Sequence, residues 1–363
     1  MAPKYNEEIY VEIDRRFNCA FIIGEQRENI KEMNLSLLTN YYMPKHKSFG
    51  SRFAYEKGAF RKLISKDFDV YITTMEPYNF TLWALKLYCL LKRKPIYYWT
   101  HGWYGKESFL KRVIKRIDYS TTSGFFLYGN YARNLMIKGG FNPGKLYVIH
   151  NSLNYSKQYE IRKMLQPTNV YEKHFGNDYH TIIFIGRLTK VKRLDLLVKA
   201  IVQLREQGQK YNFVLVGDGT ERSVLEEMVE LNGLKDAVWF YGACYDEKTN
   251  AELIYNADIC VSPGNVGLTA MHCLMFGCPV ITHNNFAMQM PEFESINNGV
   301  TGSFFNENDI DSLAGAIRNW FVAKGNQRGE VRIACYKEID DNWTPDFEMN
   351  VLEQVLKQYD NNK

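Results

Sequence analysis

Two cationic side chains in the second half of the chain have a spacing that suits one shared anion. Arg187 and Lys192 belong to the stretch GRLTKVKRLDLL, which follows an apolar strand pattern and runs into a helical pattern. Arginine offers a phosphate a planar fork of donors, and lysine adds a mobile point charge. The alternative is ordinary solvated surface charge, because Lys190 and Arg193 stand beside them. A phosphate site here therefore needs support from neighbouring elements.

A turn and a short helix in residues 262–281, SPGNVGLTAMHCLMFGCPVI, form a second candidate anion site. A helix that starts near Gly267 directs the N–H groups of Leu268 and Thr269, with the helix dipole, toward a ligand. Helix N-termini commonly bind pyrophosphate, and the Thr269 hydroxyl adds a donor. His272 lies one turn further on and, when neutral, both donates and accepts hydrogen bonds. The alternatives are an ordinary helix start and a histidine satisfied by its own surroundings.

Both halves of the chain alternate short strand patterns with helical patterns, which predicts parallel sheets flanked by helices. The predicted strands are residues 20–24, 68–73, 95–100, 124–129, 145–150, 180–186, 212–217, 237–242, 258–263 and 278–283. The predicted helices are residues 5–16, 56–66, 79–92, 107–116, 130–139, 191–208, 220–231, 246–255, 267–276, 309–323 and 345–359. Ligands of such sheets bind beyond the carboxyl ends of the strands. This rule selects Glu76, His101, Asn151, Arg187, Gly217, Gly242 and the 264–267 segment.

The polar segment 152–178 is predicted to link two domains, the number expected for 363 residues. If the ligand-binding edges of the two sheets face each other, they form one cleft, which suits a reaction between two substrates. The turn in LVGDGTERSVLEEM contains Gly217 and Gly219, which permit close approach of a ligand. The third glycine of a dinucleotide fingerprint is absent, so a tight structural turn is at least as good an interpretation.

The composition indicates a globular protein of the cytoplasm without a metal site. Apolar residues make up 45% of the chain and charged residues 24%. No run reaches the ~18 apolar residues of a membrane span, and Lys86 interrupts the most apolar stretch, FTLWALKLYCLL. The N-terminus MAPKYNEEIY lacks the apolar segment of a signal peptide. The seven cysteines are scattered among apolar neighbours, which predicts packed, reduced thiols rather than metal ligands.

The two halves carry opposite net charge. Residues 1–165 hold 27 Lys and Arg against 14 Asp and Glu, a net charge of +13, and the remainder has a net charge of −9. The stretches KLYCLLKRKP and KESFLKRVIKRI mix cations with apolar residues at helical spacing, a pattern typical of helices on an anionic membrane surface. A solvated outer face of sheet-covering helices is an equally good interpretation of either stretch. Nucleic acid is disfavoured, because no zinc, helix-turn-helix or RNA-recognition pattern accompanies the charge.

Residues 180–323 resemble the donor-binding domain of family four glycosyltransferases, retaining enzymes of the GT-B fold. The similar runs, in the family's order, are FIGRLTKVKRLDLLVKAI, FVLVGDGTERSVLEEM, VWFYG, NADICVSPGNVGLTAMHCLMFGCPVI and MPEFESINNGVTGSFF. The first half resembles the family more faintly, through HGWYG and FFLYGNYARNLMIKGGFNPGKLYVIHNSLN. Family members begin with an apolar strand and a Gly-containing loop, whereas this sequence opens with a helical pattern. The first strand of the first domain is therefore expected to be absent, either because the true start of the protein lies upstream or because the first sheet is built differently.

The resemblance implies a role for each residue of the donor site. The positions of Arg187 and Lys192 hold the donor diphosphate in the family, and His101 corresponds to a first-domain histidine near the donor sugar. The other donor-binding positions implied by the resemblance are Gly242, Ala243, Asn265, Gly267, Leu268, Thr269, His272 and Glu294, the last in a loop with Gly299 and Gly302. Gly242 and Ala243 correspond to the place where the base meets the backbone. Glu76 is a candidate acceptor contact, and Asn151 matches the family's hinge asparagine.

The sequence departs from the family at two glutamates that lie eight residues apart. The first, which contacts the donor sugar in the family, falls on Gly264, and the second, which holds the ribose hydroxyls, falls on His272. Asn265, beside Gly264, is the nearest polar replacement for the first carboxylate. His272 retains hydrogen-bonding capacity toward a ribose. The departure puts the identity of the sugar, and to some extent catalytic competence, in question.

The resemblance implies an α/β protein of GT-B fold with two Rossmann-like domains, a cleft between them and a C-terminal helix able to return to the first domain. The expected boundaries are residues 1–165 for the acceptor domain, 166–340 for the nucleotide-sugar domain and 341–363 for the helix. The expected activity is transfer of a hexose from a UDP- or GDP-sugar, without a metal or other cofactor, to a glycan or lipid-pyrophosphate-linked acceptor in surface polysaccharide or lipopolysaccharide synthesis. The expected location is the cytoplasm, with peripheral contact to the inner face of the cell membrane. The alternatives are a non-catalytic nucleotide- or glycan-binding protein and a UDP-sugar epimerase of GT-B fold.

Overall fold

The computed structural model describes residues 2–25, 31–50 and 53–360. The strands are β1 (Phe21–Ile22), β2 (Tyr41–Tyr42), β3 (Lys45–Phe49), β4 (Phe53–Lys57), β5 (Tyr71–Thr73), β6 (Ile96–Thr100), β7 (Gly124–Leu127), β8 (Leu146–Val148), β9 (Thr181–Ile185), β10 (Asn212–Val216), β11 (Val238–Gly242), β12 (Ile259–Ser262), β13 (Val280–His283) and β14 (Gly302–Phe305). The helices are α1 (Glu7–Arg16), α2 (Ala59–Leu63), α3 (Phe80–Lys92), α4 (Phe109–Tyr119), α5 (Asn130–Lys138), α6 (Tyr155–Met164), α7 (Val170–Phe175), α8 (Leu194–Glu206), α9 (Arg222–Leu231), α10 (Glu247–Asn256), α11 (Thr269–Met275), α12 (Ile310–Lys324), α13 (Arg328–Asn342) and α14 (Pro345–Asp360).

The chain divides into two compact units. Unit 1 comprises the described residues up to Asn154 together with those from Thr344 onward, and unit 2 is Tyr155–Trp343. The predicted boundaries were after residues 165 and 340, whereas the units meet after Asn154 and after Trp343. Helix α14 lies within the predicted C-terminal helix, residues 341–363, and is part of unit 1. The last three residues of the predicted segment lie outside the described residues.

Unit 1 is built on a parallel four-stranded sheet in the order β5-β6-β7-β8. Side chains alternate across this sheet, so Tyr97 and Phe126 enter a core on one face while Tyr98 and Phe125 enter a core on the other. Helices α1 and α14 cover the first face. Arg16 of α1 reinforces their contact through ion pairs with two carboxylates of α14.

The predicted strand 20–24 does not join this main sheet. Its two paired residues form β1, which lies parallel to β2 in a separate two-stranded sheet. Beside it Ala2, Ile23, Met33 and Leu38 make a small core of their own. Strands β3 and β4 form an antiparallel hairpin that the sequence analysis did not predict, because β3 is exposed along its length and lacks an apolar face.

Unit 2 is built on a parallel six-stranded sheet in the order β11-β10-β9-β12-β13-β14. Strands β9, β10, β12 and β13 are fully buried, which explains their continuous apolar sequences. The chain proceeds outward from β9 to β11 and then returns to β12 on the other side of β9. The strand order therefore reverses between β9 and β12, and such a switch point is where open α/β sheets bind ligands.

The boundary between the units, after Asn154, lies within the predicted linker 152–178, but most of that segment is folded into two helices of unit 2, α6 and α7. Helix α6 is polar and buries only Gln158 and Ile161. Its stability comes from tertiary contacts: Arg162 pairs with Asp340 at 2.7 Å and stacks on aromatic rings of both α6 and α13. Helix α13 was also missed. Within the described part of the chain, no helix combines the length and the apolar character needed to cross a bilayer.

Candidate functional site

The loops after β9 and β12 are hydrogen-bonded to each other at the switch point of unit 2. The N–H of Gly264 donates to the carbonyl of Lys192 at 2.9 Å. The hydroxyl of Thr269 donates to the carbonyl of Ile185, the last residue of β9, also at 2.9 Å. The cations after β9 and the start of α11 after β12 are therefore held beside each other, as the sequence analysis expected from strand ends alone.

Lys192 is anchored across this junction. Its Nζ donates to the carbonyls of Asn265 at 2.6 Å and Val266 at 3.3 Å. Burial is the main cause that lowers the pKa of Lys192 to about 8; the buried carboxylate of Glu292 acts in the opposite direction, and the nearby charge of Arg187 contributes to the lowering. The ammonium is thus a partly desolvated cation of fixed position, and it is close to its titration range at neutral pH.

Arg187 differs from Lys192 because its guanidinium has no partner among the described residues. The side chain is exposed, and it makes no hydrogen bond or ion pair with the described residues. It lies close enough to Lys192 to influence the pKa of that lysine. Two cations that repel each other cost free energy unless an anion joins them. The pair thus has the electrostatic character of a site for a doubly charged ligand.

Gly264 has no room for a side chain. A Cβ atom at this position would lie 2.0 Å from the carbonyl oxygen of Val191 and 2.7 Å from the carbonyl carbon of Lys192. Both are backbone atoms of the loop after β9, which is hydrogen-bonded to the loop after β12, so displacing them would cost free energy. The carboxylate that the family carries here is therefore excluded by the path of the loop after β9. The amide of Asn265, its predicted polar replacement, donates to the carbonyl of Met288 at 3.0 Å.

Helix α11 begins at Thr269, shortly after Gly264. Gly267 has a φ of +54°, and Leu268 is the last residue before the helix. The Thr269 hydroxyl, predicted as an anion donor, is already engaged with the carbonyl of Ile185. The backbone N–H groups of Leu268 and Thr269 are therefore the contacts that this segment can offer to an anion. With seven residues, α11 is too short for its dipole to provide much on its own.

His272 pairs with a carboxylate that the sequence analysis did not identify. Its Nε2 lies 3.0 Å from Oε1 of Glu247, the first residue of α10, and Gln158 of α6 donates to the same oxygen at 2.8 Å. Burial acts to raise the pKa of Glu247, but the hydrogen bonds from His272 and Gln158 outweigh it and lower the pKa to about 2. No sequence signal could reveal this pair, because its members are 25 residues apart on different helices.

The other predicted donor positions lie in turns of unit 2. Gly242 ends β11 with a φ of +92°, and its carbonyl accepts from the N–H of Gly217 at 2.8 Å, while Ala243 is exposed just beyond it. Glu294 is half-buried in the 3-10 turn Pro291–Ser295. Among the glycines of the loop that follows, Gly302 is constrained most, since a Cβ there would lie 1.9 Å from the carbonyl oxygen of Val280.

In unit 1, His101 lies just past the end of β6, as predicted from the strand pattern. Its ring packs 4.7 Å from that of Tyr128 and 5.9 Å from that of Tyr104. Burial lowers the pKa of His101 to about 4, with a further contribution from the charge of Lys115. Its Nδ1 is buried and has no hydrogen-bond partner among the described residues. The ring is therefore neutral at pH 7 and retains an unused hydrogen-bonding atom.

A buried ion pair fixes the loop that follows His101. Glu107 accepts hydrogen bonds from the N–H groups of Tyr104 at 2.8 Å and Gly105 at 3.0 Å. Lys115 donates to Glu107 and to the carbonyl of Gly102, both at 2.9 Å. Glu107 and Lys115 were not predicted as parts of this loop, because the stretch KESFLKRVIKRI was interpreted as a helix, either on an anionic membrane surface or on the solvated outer face of a sheet.

Glu76 and Asn151 have local structural partners. The exposed Glu76 accepts a hydrogen bond at 2.9 Å from Asn79, the residue that caps α3. Asn151 is buried, and its side-chain oxygen accepts from the N–H of Ser152 at 3.0 Å. Asn151 lies three residues before the end of the first segment of unit 1, near the boundary where the sequence analysis expected a hinge.

All seven cysteines are free thiols, and five of them are buried. In the described ranges, no group of three or more His, Cys, Asp or Glu side chains is placed to hold a metal ion.

A known protein family matches most of unit 2. Residues 167–332 match the model of the family described as Glycosyl transferases group 1. The chain is 25% identical over 116 residues to the alpha-D-kanosaminyltransferase of Streptomyces kanamyceticus, covering 31% of this chain and 30% of that protein. A phosphatidylinositol N-acetylglucosaminyltransferase sequence from Arabidopsis thaliana is 31% identical over 121 residues, which cover 33% of this chain and 25% of that protein. The chain spans less than half the length of the curated relatives it matches.

Solved structures match the chain over almost its whole length. The structure of Anabaena Alr3699/HepE in complex with UDP aligns with a TM-score of 0.69 and 15% identity, covering 99% of this chain and 98% of that one. The apo form of WaaB, a lipopolysaccharide outer core galactosyltransferase, aligns with a TM-score of 0.68 and 13% identity, covering 97% and 95%. These matches confirm the predicted α/β fold of GT-B type. Residues 167–332 are thus similar to glycosyltransferases of group 1, in the half of the chain where the sequence resemblance was strongest.

Proposed function

We propose that the protein is a retaining hexosyltransferase of family four that uses a UDP- or GDP-sugar. The observation that carries this proposal is the cation pair at the switch point of unit 2. Arg187 is exposed and uncommitted, and Lys192 is anchored beside it by the loop after β12. A nucleoside diphosphate supplies the multiply charged anion that such a pair requires. Both the group 1 match over residues 167–332 and the UDP complex of the structural neighbour support this ligand.

The same pair provides the chemistry of transfer. When the bond from the sugar to the diphosphate breaks, negative charge grows on the leaving oxygen while the sugar gains oxocarbenium character. Preorganised cations that stabilise this charge provide the main catalytic effect, so no nucleophilic carboxylate is needed. The acceptor hydroxyl then attacks from the face that the leaving group vacates, which retains the configuration, and its proton passes to the departing diphosphate oxygen.

The remaining predicted residues are assigned to parts of the two substrates. Gly242 and Ala243 present backbone to the base, and Glu294 closes the far side of the donor. Asn265, Gly267, Leu268 and Thr269 border the diphosphate and the sugar. In unit 1, the neutral ring of His101 is suited to a sugar hydroxyl, because its buried Nδ1 still lacks a partner among the described residues. Glu76 is the proposed contact for the acceptor, and no metal or other cofactor is assigned a role.

The proposed acceptor is a glycan or a lipid-pyrophosphate-linked saccharide of surface polysaccharide or lipopolysaccharide synthesis. The structural likeness to a lipopolysaccharide galactosyltransferase supports this class, as does the basic first half of the chain. The enzyme would act in the cytoplasm, at the inner face of the cell membrane. A non-catalytic binding protein is the second candidate, and the absence of both family glutamates, at Gly264 and His272, favours it.

An activity screen separates these candidates. The purified protein is incubated with UDP- and GDP-sugars, with and without lipid-linked acceptors, and the released nucleoside diphosphate is measured. We expect release that depends on one base and rises with an acceptor, and NMR of the product should show the anomeric configuration of the donor. Binding without release would favour the second candidate, and isomerisation of the donor sugar without an acceptor would indicate an epimerase.

The depressed pKa of Lys192 predicts that nucleotide affinity depends on pH. In the free protein the ammonium is charged below about pH 8 and loses its proton as the pH rises through that value. A diphosphate binds the charged form, so its affinity should fall by up to about tenfold per pH unit above pH 8. Titration calorimetry with UDP and GDP between pH 7 and 9.5 measures this. Lys190→Ala should retain the fall, and a wild-type affinity that stays constant to pH 9.5 would contradict the assignment of Lys192.

The surface of α3 and α4 in unit 1 supports peripheral membrane contact. Phe109 and Leu110 of α4 are 83% and 67% exposed, and Leu91 of α3 is 74% exposed. The exposed cations Lys111 and Arg112 lie beside them. The lysine that interrupts the apolar stretch of α3, Lys86, points inward instead and forms a buried ion pair with Asp118 of α4. The outward faces of both helices thus combine apolar side chains with positive charge, as a surface for anionic lipid requires.

Replacing apolar side chains of α4 tests this contact. Leu110→Glu combined with Ile117→Glu should weaken binding to phosphatidylglycerol vesicles at least tenfold, because it removes apolar burial and adds repelled charge. Co-sedimentation at low salt, where surface attraction is largest, provides the measurement. Leu231→Glu, at an exposed leucine of unit 2, is the matched control. Equal binding by the double variant and the control, or no binding by wild type, would rule out this surface.

A further inference from the structure

The ion pair between Glu107 and Lys115 has no role in the proposed function, although it adjoins the loop that follows His101. The side chains of Glu107 and Lys115 are 5% and 14% exposed, and 2.9 Å separates Oε1 from Nζ. Burial acts to raise the pKa of Glu107, but hydrogen bonds from the Tyr104 N–H and from Lys115 outweigh it and lower that pKa. The carboxylate is therefore ionised at neutral pH. Lys111, a cation of the same helix α4, is exposed instead.

The pair is hydrogen-bonded to the backbone of this loop at three points. Glu107 accepts from the N–H groups of Tyr104 and Gly105. Lys115 donates to the carbonyl of Gly102. Gly102 and Gly105 have φ values of +66° and +89°, a conformation that residues with a side chain rarely adopt. Because glycine has many other conformations available, specific bonds are needed to select this one, and the ion pair provides them.

The loop in turn determines the surroundings of the His101 ring. Tyr104, in the middle of the loop, packs its ring 5.9 Å from that of His101. The ammonium of Lys115 lies 5.7 Å from the centre of the Tyr104 ring. Tyr128 packs on the imidazole at 4.7 Å. No described residue forms a hydrogen bond with Nδ1 of His101, so these ring contacts orient the imidazole. Displacement of Tyr104 would remove one of them.

The charge of Lys115 also acts on the imidazole. Burial is the main cause that lowers the pKa of His101 to about 4, and the charge of Lys115 contributes to the lowering. The titratable groups around the ring are Tyr104 of the loop, Tyr128 after β7 and Lys115 of α4. A neutral ring suits the proposed transfer, because the donor sugar gains positive charge as its bond to the diphosphate breaks. An imidazolium beside that sugar would oppose the reaction.

We propose that Lys115, together with Glu107, is a positioning residue for sugar transfer, because it holds the loop around His101 and so sets the orientation of the imidazole. This inference rests on the proposed function, since it takes His101 as a contact of the donor sugar. A buried ion pair adds little net stability compared with apolar packing, because desolvation of both charges offsets their attraction. Apolar side chains would offer no partner to the three backbone groups of the loop, whereas the ion pair satisfies them all.

An NMR titration of the His101 side chain, assigned with His101→Asn, tests the effect on the imidazole without any substrate. Wild type is compared with Lys115→Met, with Lys115→Arg as the conservative rescue, and with Lys138→Met, at an exposed cation of α5, as the control. In Lys115→Met the ionisation midpoint should rise by at least about half a pH unit, because a repelling charge is lost and the loosened loop admits water. Lys115→Arg and Lys138→Met should titrate close to wild type.

Steady-state kinetics of the same variants, with the donor that the activity screen identifies, tests the effect on transfer. Lys115→Met should lower kcat at least about tenfold, because misplacement of a reacting group by about 1 Å costs on the order of a hundredfold. The KM of the donor should change less than about threefold, since the proposed diphosphate contacts are residues of unit 2. Lys115→Arg should retain kcat within about threefold of wild type, and Lys138→Met should leave it unchanged.

The two readouts separate a positioning role from a merely structural one. A Lys115→Met protein that keeps either the wild-type titration or the wild-type kcat would overturn the inference, as would equal losses in Lys138→Met. A lower melting temperature with a donor KM that rises as kcat falls would show general disruption, and it too would overturn the positioning role. If wild type transfers no sugar, the proposed function fails, and the titration then decides whether Lys115 positions the imidazole.

Discussion

Arg187→Ala should lower the turnover of sugar transfer at least a hundredfold while leaving the fold unchanged. Removing one preorganised donor to the charge of a transition state costs on the order of 3–4 kcal/mol. The side chain is exposed and makes no hydrogen bond or ion pair with the described residues, so its loss should not shift the melting temperature. Initial rates at saturating donor, together with thermal unfolding of the same samples, provide the measurement.

The matched control for this variant is Lys190→Ala. Lys190 is an exposed cation of the same loop, three residues from Arg187, and no role in the site is assigned to it. Its removal should change the rate by less than about twofold, since exposed charges interact weakly in water. An unaltered rate in Arg187→Ala would contradict the proposed mechanism. Equal losses in both variants would show that general positive charge, rather than the specific position of Arg187, supports activity.

Gly264→Glu should destabilise unit 2 and weaken nucleotide binding, although it restores the residue type that the family carries. The new Cβ would lie 2.0 Å from the carbonyl oxygen of Val191, so the loops after β9 and β12 would have to separate. Overpacking of this kind costs roughly 1–3 kcal/mol or more. The separation would also break the anchor of Lys192 on Asn265. For a domain of this size we expect a melting temperature about 2–12 °C lower.

Two alanine variants isolate the cause of that loss. Gly264→Ala adds only the Cβ atom, and it should already lower both the melting temperature and the affinity for UDP or GDP. Gly315→Ala in α12 is the control, because no atom lies within 4 Å of a Cβ there and alanine favours a helix. A Gly264→Ala protein as stable as wild type, or a Gly264→Glu protein with higher activity, would refute the steric account of this position.

The sequence was informative where local pattern and burial agree. Strands β9, β10, β12 and β13 are apolar along their length and were placed within two residues, because a fully buried parallel strand requires such a run. The strand ends then placed Arg187 and His101 in loops at the carboxyl edges of their sheets. The family resemblance was strongest in the same half of the chain, where the group 1 match lies.

The failures occurred where stability depends on distant contacts. Helix α6 is polar and is held by Arg162 between aromatic rings and Asp340, which no local pattern indicates. The apolar stretch AFIIG was expected to be an ordinary strand, but only Phe21 and Ile22 pair, within a small separate sheet. At the site itself, the burial of Lys192 and the pairing of His272 with Glu247 depend on packing between elements. Residue types alone do not determine either feature.

Direct nucleotide binding tests the central claim most simply. Thermal unfolding of the wild-type protein is recorded with UDP, GDP and their common sugar conjugates, and with Arg187→Ala in parallel. A ligand at 100 times its dissociation constant stabilises a folded protein by about 2.7 kcal/mol, which gives a clear rise in melting temperature. We predict a rise with the nucleotides of one base, strongly reduced in Arg187→Ala. No rise with any of these nucleotides, even at millimolar concentration, would contradict the assignment of a nucleotide-sugar site at Arg187 and Lys192.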